Sequence, residues 1–280
     1  MDDLDKFLLN AIREDVGDGD HTSEACIPDG THGRANLLIK DNGILAGVDV
    51  ARRVFELIDP AIEMEIHVRD GEYVRPGVIV FEVRGNVRSI LLGERLALNI
   101  MQHMSGIATQ TRAFVDKVKG LKARILDTRK TTPGMRLLDK EAVRIGGGEN
   151  HRMGLYDMIL IKDNHIDYLG SIEKAIDAVH DYFRKKGRTW KIVIEARDLE
   201  AVDRILAHGG VDRIMLDNFS LEDTRTAVEK IGDRFETESS GGITLDNVRA
   251  YALCGVDYIS VGALTHQIRS LDMSLKAVVG

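Results

Sequence analysis

The sequence has little of several features that define particular protein classes. It contains two cysteines, Cys26 and Cys254, so we expect neither a disulfide framework nor a cysteine metal cluster. No apolar run approaches membrane-spanning length, and the start, MDDLDKFLLN, is acidic where a signal peptide would be basic. Positive charge is scarce overall: the formal net charge is -7 and the pI about 5.7. We therefore expect a cytoplasmic protein without a nucleic-acid or membrane partner.

What the chain does contain is typical of an ordinary globular protein. Its 280 residues are 44% hydrophobic and 30% charged. That length is enough to bury a full core, and it predicts one large domain with one smaller domain.

Cations are concentrated in one stretch of this acidic chain. Between Arg124 and Arg152 there are seven Arg or Lys residues against four Asp or Glu residues. Arg129 and Lys130 follow a short apolar run, and Lys162 ends a second one. A strand that ends in a cation directs it beyond the sheet edge, so this pattern predicts a site for a ligand with several negative charges.

The first 118 residues predict a small α+β domain. Residues 3–15 have the spacing of an amphipathic helix, and short alternating runs between Gly33 and Gly85 are typical of sheet strands. The acidic, glycine-containing segment DVGDGDHTS between them is either a solvated loop or a structured turn. A long helix is predicted over 86–118, with a break at Ser105-Gly106.

After Gly120 the chain alternates strand, loop and helix. Six such units predict an incomplete parallel (β/α) barrel, since a closed barrel has eight. The segment from Leu271 alternates with period two and is expected to pair with the N-terminal sheet. The fold class is therefore α/β, an N-terminal α+β sandwich domain (1–118, with strand 270–280) plus an incomplete (β/α) barrel (119–269). The predicted strands are Arg124–Asp127, Met158–Ile161, Lys191–Glu195, Arg213–Asp217, Phe235–Ser239 and Tyr258–Val261, and the predicted helices are Met135–Arg144, Ser171–Lys186, Leu199–His208, Leu221–Lys230 and Leu245–Leu253.

Each predicted barrel strand ends in a charged, hydroxyl-bearing or glycine residue. Active sites of such barrels lie at the carboxyl ends of the strands. Glycines at the last two strand ends would let backbone N–H groups approach a phosphate. Glu195 and Asp217 would hold magnesium or face developing positive charge. In strand order the end residues are Thr128-Arg129-Lys130, Lys162, Glu195, Asp217, Ser240-Gly241-Gly242 and Ser260-Val261-Gly262.

Several long motifs resemble one enzyme family. LDTRKTTPGMR, GGGENHR, ILIKDNH, MLDN, ESSGGI and ISVGALTH are similar to motifs of quinolinate phosphoribosyltransferase, and DVGDGDHTS and the helix with Glu94-Arg95 extend the match to the N-terminal domain. The resemblance implies that quinolinate and phosphoribosyl pyrophosphate give nicotinate mononucleotide, pyrophosphate and carbon dioxide in NAD biosynthesis. It also implies magnesium as cofactor and a homodimer with shared active sites, and it leaves a higher assembly open.

The resemblance also implies roles for individual residues. Lys130, Lys162, Glu195 and Asp217 are the expected catalytic residues, and Lys162 would contact both substrates. The two acids would bind ribose hydroxyls and magnesium, directly or through water or substrate. The expected quinolinate contacts are Arg129, His151, Arg152 and, from the partner chain, Arg95, with Lys130 and Lys162 nearby. Thr128 is a further expected substrate contact. The expected 5-phosphate contacts are Ser240, Gly241, Gly242, Ser260, Val261 and Gly262.

Other interpretations of the same residues remain open. A paralogue associated with molybdenum transport would keep the phosphoribosyl site and change the acceptor pocket, although the full cation set favours quinolinate. A non-catalytic sensor of a phosphorylated metabolite is the second alternative, and the two acids argue against it. Arg95 on its own is typical of a helix residue paired with Glu94, while Asp157 and Asp163 are as typical of loop caps as of ligands.

Overall fold

A computed structural model describes residues 3–278, so the outermost ends of the predicted segments 1–118 and 270–280 lie outside the described residues. Contacts between Cα atoms group the chain into two compact units. Unit 1 comprises the chain up to Arg112, Thr131–Gly147 and the chain from Thr265, and unit 2 comprises Ala113–Lys130 and Gly148–Leu264. The predicted boundary at residue 118 stays a prediction. No helix within residues 3–278 is both long and apolar enough to cross a membrane.

Unit 1 is built on an antiparallel sheet with strand order β12-β1-β5-β3. Alternation along β1 buries Leu37 and Ile39, which pack in the core with Phe81 and Val83 of β5. The last strand pairs with the first, and Leu275 lies opposite Leu37. The elements are α1 (Asp3–Val16), α2 (His21–Cys26), β1 (His32–Ile39), β2 (Gly43–Ile44), α3 (Val48–Ile58), β3 (Glu63–Ile66), β4 (Tyr73–Val74), β5 (Ile79–Asn86) and β12 (Met273–Ala277).

A single long helix, α4 (Val87–Val118), follows β5, and the predicted break at Ser105-Gly106 is wrong. Both small residues serve close packing instead. The Ser105 hydroxyl accepts from the N–H of Ala46 at 2.9 Å. A Cβ at Gly106 would approach the carbonyl oxygen of Arg269 to 2.5 Å. Serine and glycine therefore let other backbone segments reach the helix without interrupting it.

Unit 2 contains a six-stranded parallel sheet within the described residues, with strand order β6-β11-β10-β9-β8-β7. Together with the helices that alternate with these strands, it is the incomplete (β/α) barrel that the sequence predicts. Strand β8, next to the edge strand β7, is buried along its whole length, as parallel strands covered on both faces are. The strands are β6 (Arg124–Leu126), β7 (Ile159–Ile161), β8 (Ile192–Ala196), β9 (Arg213–Asp217), β10 (Glu236–Ser240) and β11 (Tyr258–Ser260), and the helices are α6 (Asp163–Leu169), α7 (Ile172–Lys186), α8 (Leu199–His208), α9 (Leu221–Ile231) and α10 (Val248–Ala252).

Several helices differ from the sequence prediction. Helix α6 was not predicted; it is short, and the backbone N–H of Lys162 that precedes it donates to Nδ1 of His165. Helix α10 is shorter than predicted, because the Asn247 side chain bonds to Thr244 and Gly242 and holds a turn ahead of it. Helix α5 (Arg136–Ile145), predicted as part of the barrel, is grouped with unit 1. Helix α11 (Ala263–His266) is the last helix within residues 3–278 and was not predicted.

The position of α5 follows from a buried acid. Asp139 is 0% exposed; it lies 2.7 Å from Nε2 of His103 on α4 and accepts from the N–H of Thr132 at 2.8 Å. A Cβ at Gly146, after the helix, would overlap α4 at the Ala108 carbonyl. The helix therefore packs tightly along α4 through polar and glycine contacts that apolar spacing does not reveal.

Candidate active site

The carboxyl ends of the six parallel strands lie at one edge of the unit 2 sheet. Ser240 is in register with Asp217 of the neighbouring strand, and Ser260 is in register with Leu126. Glu195 lies opposite Met215, two residues before Asp217. The sheet therefore brings to one rim all the predicted strand-end residues, from Thr128 to Gly262, as the alternation of strands and helices led us to expect.

Lys162 and Glu195 form an ion pair at this rim. Lys162 Nζ donates to Glu195 Oε1 at 2.7 Å, and the backbone N–H of Asp163 lies 3.4 Å from the other carboxylate oxygen. The Lys162 side chain is 46% exposed and that of Glu195 is 9% exposed. The carboxylate is thus fixed from behind by the start of α6, while the lysine amine remains open to a ligand.

Arg152 is a buried cation in an electropositive setting. The residue is 8% exposed, and its Nη1 makes one long contact, 3.4 Å, with the carbonyl oxygen of Met158. Burial, and then the charge of Arg129, hold the pKa of the Arg152 guanidinium below its ordinary value, although Asp157 and Glu195 act in the opposite direction. Arg129 and Arg152 therefore repel each other, and an anion bound beside them would relieve that repulsion.

Asp127 fixes the loop before Arg152, and it is not among the site residues predicted from the strand ends. Asp127 is 0% exposed, and its Oδ1 accepts from the backbone N–H of His151 at 2.8 Å. The His151 side chain is only 6% exposed. Thr128 Oγ1 accepts from the N–H of Lys130 at 3.1 Å, which orders the first turn beyond β6. The Asp127 carboxylate thus ties two parts of the rim together.

The end of β9 and the end of β10 are locked to each other. The N–H of Asn218 donates to the carbonyl oxygen of Ser240 at 2.8 Å, and Asn218 Nδ2 donates to Asp217 Oδ2 at 2.9 Å. Gly241 has a φ of +88°, and a Cβ there would overlap the Asn218 side chain. Glycine is therefore required at Gly241 both by its backbone conformation and by the close approach of Asn218.

The glycine pair leaves backbone groups accessible at the rim. Gly242 has a φ of +61°, is exposed, and has open space where a Cβ would be. Its carbonyl oxygen accepts a hydrogen bond of 2.9 Å from Asn247 Nδ2. At the next strand, the Val261 N–H donates to the Leu126 carbonyl at 2.9 Å, and Ser260 is buried. Open N–H groups with glycine flexibility make the turn after β10 suitable for a phosphate.

The seven cations between Arg124 and Arg152 are not all at this rim. Arg124 begins β6, at the opposite end of the strand, and pairs with Glu149 at 3.0 Å. Lys140 is buried on α5, and Arg144 on the same helix pairs with Glu141. Arg129, Lys130 and Arg152 lie in unit 2, at the carboxyl ends of its strands, whereas the cations of α5 belong to unit 1.

Arg95 lies in unit 1, on α4, and is exposed. Within residues 3–278 it forms no ion pair, so the bridge with Glu94 that helix position alone would suggest is not made.

Comparison with known proteins identifies the family. The model of the quinolinate phosphoribosyl transferase N-terminal domain matches residues 20–105, and that of the C-terminal domain matches residues 107–276. A quinolinate phosphoribosyltransferase [decarboxylating] of Nicotiana tabacum is 43% identical over 289 residues, covering 98% of this chain and 82% of the relative. A probable nicotinate-nucleotide pyrophosphorylase [carboxylating] of Bacillus subtilis is 40% identical and covers 97% of this chain and 92% of its own length.

The fold agrees with these sequence matches. The crystal structure of NadC from Streptococcus pyogenes superposes with a TM-score of 0.93 at 40% identity, covering 99% of this chain and 97% of that one. Matches of this extent include both units and every strand of the rim. The chain belongs to the quinolinate phosphoribosyltransferase family.

Proposed function

We propose that this protein transfers the phosphoribosyl group of phosphoribosyl pyrophosphate to quinolinate and decarboxylates the product. The quinolinate ring nitrogen forms a bond to the anomeric carbon of the ribose as the bond to pyrophosphate breaks. The carboxylate next to the ring nitrogen then leaves as carbon dioxide, and a proton takes its place. The products are nicotinate mononucleotide, pyrophosphate and carbon dioxide, and the reaction belongs to NAD biosynthesis.

The observation that carries this proposal is the buried Arg152 beside Arg129. A dianionic acceptor would resolve their mutual repulsion, because each carboxylate can accept charge-assisted hydrogen bonds from a guanidinium. Lys162, open on one side and paired with Glu195 on the other, would contact quinolinate and the phosphoribosyl group together. We also assign Thr128 and His151 to the acceptor side of the site, with Lys130 as a further cation.

Glu195 and Asp217 would act on the ribose. As the bond to pyrophosphate breaks, positive charge develops at the anomeric carbon, and carboxylates fixed nearby stabilise it without having to reorganise. Glu195 is already held by Lys162 and Asp163, and Asp217 by Asn218.

The same two acids fit magnesium if the substrate shares the ion. Within the described residues no group of three or more His, Cys, Asp or Glu side chains is placed to hold a metal. Magnesium ordinarily uses one or two carboxylates together with waters and substrate phosphates, which matches a pair of acids. When bound, the ion would neutralise charge on the departing pyrophosphate. Glu195 and Asp217 would hold it directly or through water.

The turns after β10 and β11 would bind the 5-phosphate. The exposed Gly242 and the positive φ of Gly241 support this assignment for the turn after β10, with Ser240 beside them. Ser260, Val261 and Gly262 form the second. A phosphate held at one end of the ribose fixes the anomeric carbon relative to Glu195, and such positioning accounts for much of the rate of group transfer.

Decarboxylation then requires no organic cofactor held by the protein. Once ribosylated, the ring nitrogen is cationic, and it accepts the electron pair left when the adjacent carbon–carboxylate bond breaks. Arg152 and Arg129 would hold the ring while this happens.

Arg95 would complete the site of a partner subunit. Its exposed guanidinium has no intrachain ion pair within residues 3–278, and α4 carries the exposed apolar residue Leu91 one turn earlier. We therefore include a homodimer with shared active sites in the proposal.

A turnover assay tests this function. Purified protein is incubated with quinolinate, phosphoribosyl pyrophosphate and magnesium, and the nucleotide product is identified by mass. Nicotinate mononucleotide should form with wild-type protein and should drop by about a hundredfold or more with Asp217→Asn, which keeps the shape and removes the charge. A folded wild-type protein that binds both substrates and makes no nucleotide would overturn the proposal.

A further inference from the structure

A carboxylate is buried in the middle of β10. Glu238 is 0% exposed, and by the alternation of the strand it lies on the same sheet face as Glu236 near the strand start and Ser240 at the rim. An isolated buried carboxylate is costly, so its partners define what it does.

On one side, Glu238 contacts charged residues at the starts of β9 and β10. Arg213 Nη1 donates to Glu238 Oε2 at 2.8 Å, and Arg213 Nε donates to Glu236 Oε2 at 3.0 Å. The Arg213 guanidinium also lies 3.8 Å above the Tyr258 ring, which fixes its plane. Burial opposes ionisation, but the charge and hydrogen bond of Arg213 and the approach of the His151 ring N–H outweigh it and hold the pKa of the Glu238 carboxyl below its ordinary value. Glu238 is therefore a fixed anion.

On its other side Glu238 faces His151. The distance from His151 Nε2 to Glu238 Oε2 is 3.5 Å, long for a hydrogen bond but short for an electrostatic contact. The second ring nitrogen, Nδ1, accepts from the backbone N–H of Arg152 at 2.7 Å. A proton on Nδ1 would collide with that N–H, so Nδ1 carries none. This places the ring proton on Nε2, which lies 3.5 Å from the carboxylate oxygen.

We propose that Glu238 is a positioning residue that holds His151 as the neutral Nε2–H tautomer, so that Nδ1 fixes the backbone of Arg152 in the acceptor site. The inference rests on the proposed function for its effect on turnover, but not for the tautomer itself. The cations that recognise the carboxylates are then Arg129, Arg152 and Lys162, while His151 contributes as a neutral ring.

The loop that carries Arg152 would thus be held at two points. Asp127 accepts from the His151 backbone N–H, and the His151 ring accepts from the Arg152 backbone N–H. Glu238 selects the tautomer that makes the second bond possible. The buried aspartate of serine proteases orients a histidine in the same way, and replacing it by its amide allows the wrong tautomer.

Nuclear magnetic resonance reads the tautomer directly. The protein contains nine histidines, and labelling them with 15N gives separate shifts for protonated and unprotonated ring nitrogens. The resonances of His151 are assigned by their loss in His151→Gln. In ligand-free wild-type protein near neutral pH, Nε2 of His151 should carry a proton and Nδ1 should not. A protonated Nδ1, whether in the other tautomer or in the imidazolium, would overturn the proposal.

Kinetics of Glu238→Gln provide the second readout. The amide keeps the shape but can donate to Nε2, which favours the wrong tautomer. The KM for quinolinate should rise by at least about tenfold, while the KM for phosphoribosyl pyrophosphate changes by less than about threefold, since the second substrate is bound at other strand ends. The chemical shifts of His151 should change in this variant. Those of His180 on α7, whose ring is hydrogen-bonded to the Gly210 carbonyl oxygen, should not.

The outcomes separate the two proposals. An inactive wild-type protein with the expected His151 shifts would remove the proposed function and leave the tautomer standing. An active enzyme whose His151 carries a proton on Nδ1, or whose quinolinate KM is unchanged in a folded Glu238→Gln variant, would remove the positioning role alone. If Glu238→Gln does not fold, the wild-type shifts still decide the matter.

Discussion

Replacing Arg152 by methionine is expected to weaken quinolinate binding without making the ligand-free protein less stable. The side chain is buried and close to the charge of Arg129, and both effects lower its pKa. Methionine is similar in length and carries no charge. The ligand-free protein therefore loses a repulsion, whereas the complex loses a charge-assisted contact with a carboxylate.

The magnitudes follow from the burial of Arg152. Removing one partner of a buried charged contact typically costs about 2–5 kcal/mol, which corresponds to about 30- to 4,000-fold in the Kd for quinolinate. Relief of the repulsion should raise stability by about 1 kcal/mol, which is about 2–4 °C in Tm for a domain of 150–250 residues.

Calorimetric titration with quinolinate and a thermal unfolding scan together check both effects. Arg144→Met is the matched control, because Arg144 is exposed and, within residues 3–278, its ion pair is with Glu141 on the same helix. It should change neither quinolinate affinity nor Tm by much, since such pairs are worth about 0.3–0.5 kcal/mol. Unchanged quinolinate affinity in Arg152→Met would refute the reasoning. A Tm lowered by several degrees would show that the arginine supports the fold instead.

Three further outcomes are expected. Nicotinate, with one carboxylate fewer, should be used far less well than quinolinate, by about 2–5 kcal/mol in kcat/KM, because it leaves a cation of the acceptor site, such as the buried Arg152, unpaired; comparable rates would contradict this. Glu195→Gln and Asp217→Asn should each lower kcat by about a hundredfold or more while quinolinate titrations are unchanged, and the reverse pattern would mean that the acids bind the acceptor. Arg95→Ala and Lys162→Ala should each be nearly inactive, yet equal amounts refolded together should regain roughly a quarter of wild-type activity through hybrid dimers; persistent inactivity with hybrids demonstrably formed would place Arg95 in its own subunit.

The parallel sheet could be predicted closely from the sequence. The predicted strand Arg213–Asp217 has the observed bounds, and the predicted helix Leu199–His208 does too. Buried parallel strands are short apolar runs, and their polar end residues mark where they stop. The carboxyl ends of parallel strands share one edge of the sheet, so the residues at that edge could be predicted from the same short apolar runs.

Tertiary contacts explain where the fold prediction failed. Ser105 and Gly106 have the composition of a helix break, yet the segments that pack against them keep the helix intact. Helix α6 is short and has no buried residue, so apolar periodicity gives no signal for it.

The residues that support the site were harder to find than those that form it. Asp127 and Glu238 look like ordinary charged residues within strands, and their partners are distant in sequence: His151 is 24 residues from Asp127, and Arg213 is 25 residues from Glu238. Complete burial is what distinguishes them, and burial of a charged residue is set by neighbours that only the folded chain brings together. Lys140 shows the converse, because it belongs to the basic stretch and is buried on α5 of unit 1.

The most direct test of the central claim is the stoichiometry of the reaction. Quinolinate labelled with 13C in the carboxylate next to the ring nitrogen is incubated with the protein, magnesium and phosphoribosyl pyrophosphate, and labelled carbon dioxide and pyrophosphate are measured together. One site that ribosylates and then decarboxylates should release the two in equal amounts, and neither should form without phosphoribosyl pyrophosphate. Carbon dioxide released without the ribosyl donor, or pyrophosphate released without carbon dioxide, would contradict the account.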